Sequence, residues 1–150
     1  ISGPPRSGKT TYAKEHSRPG DVVIDLDDIL QRIRPDYRPW SGLHDSSLLN
    51  RGIRARNDML ASLSRARHCK AWFIISAPTQ AERDWWQAKL GGQVIVLNPG
   101  TEECKRRAEA RGTPLAAQGV AQWVRASLGH WSPTKRKAQH VIGEDGWPVN

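Results

Sequence analysis

Short runs of apolar, largely β-branched residues alternate along the chain with longer stretches in which apolar residues recur every three or four positions. The short runs, typical of buried parallel strands, cover residues 21–26, 71–76 and 93–97. The longer stretches predict helices over residues 9–17, 27–34, 47–67, 80–90, 101–112 and 114–128. Strands that alternate with helices in this way predict a parallel sheet covered on both faces.

A fourth strand is expected directly before the first glycine-rich segment, where only Ile1 and Ser2 stand in this sequence. We therefore expect the chain to lack a few native N-terminal residues. The resulting fold class is an α/β three-layer sandwich with a parallel sheet of about four strands. Residues 1–128 are predicted to form one domain, and residues 129–150 a basic C-terminal tail that no pattern assigns.

The clearest motif of the domain lies in the glycine-rich segment near its start. Residues 3–10 read GPPRSGKT and fit G-x-x-x-x-G-K-[ST] at every position, which predicts a phosphate-binding P-loop of the NTPase type. In such a loop, backbone N–H groups and the dipole of the following helix attract phosphate, a lysine contacts the β- and γ-phosphates, and a hydroxyl binds Mg²⁺. ATP and Mg²⁺ are thus the predicted cofactors, with a nucleotide-binding set of Gly3, Pro4, Pro5, Arg6, Ser7, Gly8, Lys9, Thr10 and Thr11.

Three carboxylates cluster at the end of the strand over residues 21–26. Because open α/β sheets bind ligands at the carboxyl ends of their strands, we expect this cluster beside the phosphate loop. Asp27 is the predicted general base, which would orient an acceptor hydroxyl and take its proton. Asp25 is predicted to join Thr10 in binding the metal, with Asp28 as an alternative. Asp27 or Asp28 could also simply cap the next helix.

The helix over residues 101–112 carries two arginines four positions apart, Arg107 and Arg111, which share one helical face. We expect Thr101 to cap this helix and residues 101–113 to form a lid. Guanidinium groups on such a lid would neutralise the charge that develops on a transferring phosphoryl group. The alternative is a solvated basic face balanced by the acidic residues of the same helix.

The order of these motifs, from the phosphate loop through VIDLDD and FIIS to KRRAEARG, resembles the kinase domain of bacteriophage polynucleotide 5′-kinases. That domain belongs to a wider set of small P-loop kinases, which includes phage kinases of hydroxymethylated DNA bases and zeta-toxin-like kinases. The resemblance spans roughly residues 1–128. It implies that Asp27 is the base and that Arg107 and Arg111 contact the transferred phosphate, with Arg106 as a substitute if the register shifts by one.

The sequence departs from that family at two positions. Ala77 stands where polynucleotide kinases often carry an aspartate, and Leu30 where they tend to carry a basic residue. The segment after residues 71–76 also lacks the acid that many P-loop ATPases place there, which argues against a motor or AAA-type ATPase.

Net charge and loop aromatics bear on the acceptor. The formal net charge is +8 at pH 7, which favours a polyanionic partner. The Pro- and Ser-rich loop after the acidic strand contains Arg38 and Trp40, predicted to bind the acceptor by charge and by stacking on a nucleobase. Basic residues of the helix over 47–67, among them Arg54 and Arg56, either follow phosphates or form plain surface.

The leading hypothesis is an ATP- and Mg²⁺-dependent kinase acting on a nucleic acid, DNA or RNA, at a 5′-hydroxyl or a hydroxymethylated base. A kinase of nucleosides, nucleotides or sugars and a non-catalytic nucleotide-binding module remain as alternatives. The sequence contains no long apolar run, and its two cysteines lie in no metal-binding motif. We therefore expect no membrane association, no implied protein partner and a cytoplasmic location, that of a bacterial host if the gene belongs to a phage.

Overall fold

The computed structural model describes residues 1–42, 45–66 and 70–131, together with the backbone of residues 141–142 and 148–149. Within these ranges the helices are α1 (Lys9–His16), α2 (Leu26–Ile33), α3 (Ser46–Arg65), α4 (Gln80–Leu90), α5 (Thr101–Ala110) and α6 (Pro114–Ser127). The strands are β1 (Val22–Ile24), β2 (Ala71–Phe73), β3 (Val141–Ile142) and β4 (Pro148–Val149). All six predicted helices are therefore present, and the predicted bounds of α4 are those observed.

The sheet is parallel but smaller than the sequence predicts. Strand β1 pairs in parallel with β2, with Ile24 opposite Phe73. Ser2 forms single parallel bridges with Ile75 and Val96, so the segment at Ser2 adjoins the continuation of β2 and the segment at Val96 adjoins Ser2, neither forming a regular strand. The prediction of about four strands is met in part, because two of the four segments form strands and the other two form only bridges.

The core lies between the sheet and the helices next to it. Ile24, Ile29, Leu60 and Trp86 form one buried cluster, which joins β1 to helices α2, α3 and α4. Each of these side chains contributes on the order of 2 kcal/mol of hydrophobic stabilisation when fully buried. The sheet end that carries the phosphate loop is thus anchored to three helices.

The position of Arg56 differs from the prediction that the basic residues of α3 lie on the surface. Its side chain does not belong to an exposed basic stripe on α3, because the residue is only 7% exposed. The guanidinium carbon lies 5.6 Å from the centroid of the Trp86 ring, where a cation is attracted by the negative face of the aromatic system. Arg54 remains exposed. Among the described residues, no helix combines the length and the apolar composition that a bilayer crossing requires.

The start of α2 determines where the three clustered aspartates lie. Asp25 caps α2, since its Oδ1 atom accepts a hydrogen bond from the backbone N–H of Asp27 at 3.1 Å. The capping role considered for Asp27 or Asp28 therefore belongs to Asp25, and both of the others lie in the first turn. The prediction that Thr101 caps α5 is wrong. Gly100 occupies the N-cap position, because the backbone of Thr101 is already helical.

Candidate active site

The phosphate loop closes tightly because two of its glycines are required by geometry. A Cβ atom on Gly3 would lie 2.1 Å from the carbonyl oxygen of Leu97, so no larger residue fits between the loop and the neighbouring segment. Gly8 has φ 97°, a left-handed conformation, at the position from which α1 begins. The loop thus passes directly into a helix N-terminus, the arrangement that binds phosphate groups in proteins.

The side chain of Lys9 folds back onto the phosphate loop. Its Nζ atom donates hydrogen bonds to the carbonyl oxygens of Gly3 at 2.9 Å and Pro4 at 2.6 Å. Burial lowers the pKa of the Lys9 ammonium to about 8, against which the nearby Asp25 raises it. The ammonium is therefore partly desolvated and held by carbonyl groups, from which phosphate oxygens with full negative charge can draw it away.

Thr10 and Asp25 form a contiguous pair of hard oxygen donors. The Thr10 hydroxyl donates to Asp25 Oδ2 at 2.8 Å, and Asp25 is only 8% exposed. Hydroxyl and carboxylate oxygens suit Mg²⁺, which keeps several waters and completes its shell with substrate phosphates. Within the described ranges, no group of three or more His, Cys, Asp or Glu side chains could hold a metal ion by itself. The pair therefore fits Mg²⁺ that arrives with a nucleotide.

Asp27 is held by a tyrosine that no sequence pattern predicts. The phenol of Tyr37 donates to Asp27 Oδ1 at 3.1 Å. Burial, and then the negative charge of Asp25, raise the pKa of Asp27, whereas the Tyr37 bond and the charge of Arg6 lower it. Burial, then the negative charge of Asp27 and the same bond, raise the pKa of Tyr37, so the phenol remains the proton donor. A half-buried carboxyl with a raised pKa is suited to accepting a proton in catalysis.

On the lid, one arginine contacts the phosphate loop and its neighbour does not. Arg107 Nη1 donates to the carbonyl oxygen of Arg6 at 3.4 Å, while its Nε atom donates to Glu103 Oε1 at 2.6 Å. Arg106 forms both of its bonds with Glu103 and keeps a side chain that is 68% exposed. These two arginines lower the pKa of Glu103 to about 2. The structure thus places Arg107, rather than Arg106, over the loop.

Arg111 differs from Arg107 in its surroundings. It caps the C-terminus of α5 and is exposed, and its side chain forms no hydrogen bond or ion pair with any residue in the described part of the chain. A guanidinium without a carboxylate partner keeps its full capacity for an anion.

One cavity of about 710 Å³ brings the predicted catalytic residues together. Lys9, Asp27, Arg107 and Arg111 all line it, and so do Thr10 and Asp25. Because these side chains come from the phosphate loop, the end of β1 and the lid, the cavity joins three segments that are distant in sequence. Their chemistry comprises phosphate-binding cations, metal-binding oxygens and a carboxyl with a raised pKa.

The two predicted acceptor residues lie in different places. Trp40 lines the same cavity and is 39% exposed. Its ring lies against α6, where a Cβ atom added to Gly119 would come within 2.7 Å of it. Arg38 instead lines a neighbouring cavity of about 400 Å³, and its guanidinium donates to the carbonyl oxygens of Pro35 and Tyr37. The structure therefore brings Trp40, but not Arg38, to the cavity that contains Asp27.

Comparison with known protein families agrees with the presence of a phosphate-binding loop. The sequence signature of an AAA domain family matches residues 1–128. The chain belongs to this AAA domain family. The family is of the P-loop NTPase type and includes kinases, so the domain is a nucleotide-binding P-loop domain. No curated protein matches the chain closely enough to count as a relative. Since the AAA domain family includes kinases, membership does not separate ATP hydrolysis from phosphoryl transfer.

Proposed function

We propose that this domain is an ATP- and Mg²⁺-dependent kinase that transfers the γ-phosphoryl group to a hydroxyl of a nucleic acid. The observation that carries the proposal is the shared cavity, in which Asp27 faces the same space as Lys9 and the lid arginines. An ATPase needs the phosphate loop and a positioned water. The carboxyl of Asp27 would orient water in an ATPase and an alcohol in a kinase, and the cavity beside it admits an acceptor larger than water, which favours the kinase.

On the donor side, the chain's own groups bind and orient the triphosphate. Lys9 would exchange its bonds with Gly3 and Pro4 for phosphate oxygens. Thr10 and Asp25 would hold Mg²⁺, which neutralises charge on the phosphates when bound. The interactions of Arg107 and Arg111 with the phosphoryl group would strengthen as charge shifts during transfer. Guanidinium groups placed where charge develops act mainly on the transition state.

On the acceptor side, Asp27 would accept the proton of the attacking hydroxyl. The acceptor oxygen forms a bond to the γ-phosphorus, the bond from that phosphorus to the β,γ-bridging oxygen breaks, and ADP leaves with the released electron pair. In the free protein the Tyr37 hydroxyl already bonds one oxygen of Asp27 at 3.1 Å. The acceptor hydroxyl would therefore use the other carboxylate oxygen, with Tyr37 keeping the carboxylate in place.

Two features support a nucleic acid as the acceptor. The formal net charge of +8 favours polyanions by counterion release. Trp40 presents a partly exposed ring in the cavity that contains Asp27, where it would stack on a base next to the reacting hydroxyl. A polynucleotide 5′-hydroxyl and the hydroxymethyl group of a modified base in phage DNA are both primary alcohols, so either suits Asp27.

A panel of acceptors with γ-labelled ATP tests the proposal. Oligonucleotides with 5′-hydroxyl ends, DNA with hydroxymethylated bases, nucleosides and sugars would be compared at equal concentration of reacting hydroxyl. We expect label on one of the two nucleic-acid classes, with a KM that rises steeply with salt concentration. Label that stays on ATP or appears only as inorganic phosphate, with every acceptor, would overturn the proposal and favour a non-catalytic or hydrolytic domain.

A small-molecule kinase is the second candidate, favoured by the size of the cavity. At about 710 Å³ it lies within the range of roughly 300–1,000 Å³ that small-ligand sites occupy. The same panel separates the two candidates, because a neutral nucleoside or sugar predicts a KM that is almost independent of salt.

A further inference from the structure

Arg6 stands in the phosphate loop with a backbone conformation that glycine adopts freely and other residues rarely do. Its φ is 63°, in the left-handed region. A glycine would remove this strain without any change in the path of the loop. Strained conformations cluster at functional sites, so the side chain of Arg6 is the feature to explain.

That side chain connects the loop to the lid. Arg6 Nη2 donates to the Thr113 hydroxyl at 3.0 Å, and this hydroxyl in turn donates to the carbonyl oxygen of Ala108 at 2.9 Å. Thr113 lies in the short connection between α5 and α6, which consists of residues 111–113 and is called here the lid hinge. The carbonyl oxygen of Arg6 accepts a bond from Arg107 at 3.4 Å. Arg6 is therefore bonded to the lid through both its side chain and its backbone.

The guanidinium of Arg6 lies near other charged groups of the site. Burial and the nearby positive charge of Arg111 lower the pKa of Arg6, and the negative charge of Asp27 raises it. The Nε atom of Arg6 is buried and has no hydrogen-bond partner among the described residues. The guanidinium thus lies within electrostatic range of both Asp27 and Arg111. The guanidinium groups of Arg6 and Arg111 repel each other. The bond from Arg6 to Thr113 opposes this repulsion and fixes a separation between the two groups that charge alone would increase.

We propose that Arg6 is a positioning residue, which ties the phosphate loop to the lid hinge and so holds Arg107 and Arg111 over the transferring phosphoryl group. The kinetic consequence rests on the phosphoryl transfer proposed above, whereas the link itself does not. Without the link, the lid would spend less time closed, and groups that act in the transition state would be affected more than ground-state binding.

Three variants test this link. Arg6→Gly removes the side chain and relieves the backbone strain. Thr113→Val keeps the shape of the partner and removes its hydroxyl, and it costs α6 no cap because Thr113 forms no side-chain capping bond. The double variant measures whether the two residues act together. Arg18→Gly, at an exposed position in the turn after α1, controls for the loss of one positive charge.

Two measurements would be made on each variant. The first is kcat and KM with the acceptor found in the labelled-phosphate panel. The second is amide hydrogen exchange in the lid hinge, where the N–H groups of Gly112 and Thr113 donate to carbonyl groups of α5.

For Arg6→Gly and Thr113→Val we expect kcat to fall about tenfold or more, the range for a hydrogen bond to a charged group. The KM for ATP should change by less than about threefold. Exchange in the lid hinge should become faster in both, the double variant should resemble the more affected single variant, and the melting temperature of Arg6→Gly should not fall. Arg18→Gly should match the wild type in every measurement.

Unchanged exchange and unchanged kcat in Arg6→Gly would overturn the inference, and so would additive effects in the double variant. A raised KM with an unchanged kcat would also overturn it, because Arg6 would then be a simple nucleotide contact. If the wild type transferred phosphate to no acceptor, the proposed function would fail, while the exchange rates would still decide whether Arg6 ties the loop to the lid.

Discussion

The two sides of the cavity are built differently. On the donor side, Lys9, Thr10 and Asp25 are held by hydrogen bonds of 2.6–2.9 Å to groups of the loop or to one another. On the acceptor side, Trp40 is 39% exposed, and Arg38, which lies outside the cavity, donates within the described ranges to carbonyl oxygens of its own loop. The donor side is therefore fixed by the fold, and the acceptor side by a surface loop.

This difference indicates which property is general and which is particular to this chain. A preorganised phosphate site costs little to reorganise when ATP binds and serves any acceptor equally well. Binding residues on loops, by contrast, vary without disturbing the scaffold that presents them. Nucleotide binding follows from membership of the AAA domain family, whereas the acceptor of the proposed transfer would be selected by residues 35–42.

The largest effect is expected on the donor side, from Lys9→Ala. Removal of the ammonium takes away a partly desolvated cation inside the loop, so phosphoryl transfer should fall below detection and ATP should bind more weakly. Isothermal titration and the labelled-phosphate assay measure the two effects. Lys14→Ala, at an exposed position on α1, should leave both unchanged. Transfer within tenfold of the wild-type rate in Lys9→Ala would show that the donor side is not assembled as described.

Asp27→Asn, where the two sides meet, should reduce kcat by about 10²–10⁴-fold, the range for loss of a general base. The amide keeps the size of the carboxyl and cannot take a proton. ATP affinity should stay near the wild-type value, because Asp27 is not a predicted phosphate ligand. Asp58→Asn, on the exposed face of α3, is the matched control. Normal turnover in Asp27→Asn would remove Asp27 from the mechanism.

Arg111→Ala should lower kcat by about 10²-fold with a smaller change in KM, as expected for a group that acts on charge in the transition state. Lys105→Ala, which removes a charge from the same helix but pairs with Glu102, should have little effect. The opposite pattern, a raised KM with kcat preserved, would make Arg111 a contact of the bound nucleotide alone.

The smallest effect is expected from Tyr37→Phe, on the acceptor side, and it concerns pH. The Tyr37 bond lowers the pKa of Asp27, so its loss should raise that pKa further. A base must be deprotonated to act, and activity is therefore lost as pH falls through the pKa of Asp27. The acidic limb of the kcat profile should move to higher pH in Tyr37→Phe, with the plateau at higher pH retained. An unmoved acidic limb would mean that Asp27 does not control it.

The sequence predicts the donor side better than the acceptor side for a physical reason. The phosphate loop depends on residues 3–10 and their backbone, and a motif of consecutive residues captures both. The helices follow from apolar periodicity, which is also local. The segment over residues 93–97 has the composition of a strand but forms only a bridge, because pairing depends on a neighbour that periodicity does not describe.

Contacts between segments that are distant in the chain cannot be predicted in this way. The bond from Arg6 to Thr113 links residues that lie 107 positions apart, and neither belongs to a pattern that indicates the other. The bond from Tyr37 to Asp27 depends on the path of a loop after α2. The identity of the helix cap, Asp25 rather than Asp27 or Asp28, depends on where the strand ends, and helix boundaries are poorly fixed by sequence.

The most direct test of the central claim is a crystal structure of the domain with Mg²⁺ and a non-hydrolysable ATP analogue. We expect Lys9 Nζ to have left the carbonyl oxygens of Gly3 and Pro4 for the β- and γ-phosphates. We also expect the Asp27 carboxylate and the Arg111 guanidinium to flank the γ-phosphate, with room for one alcohol oxygen between the carboxylate and phosphorus. A γ-phosphate that points away from Asp27 and is closed off from it by protein would contradict the account.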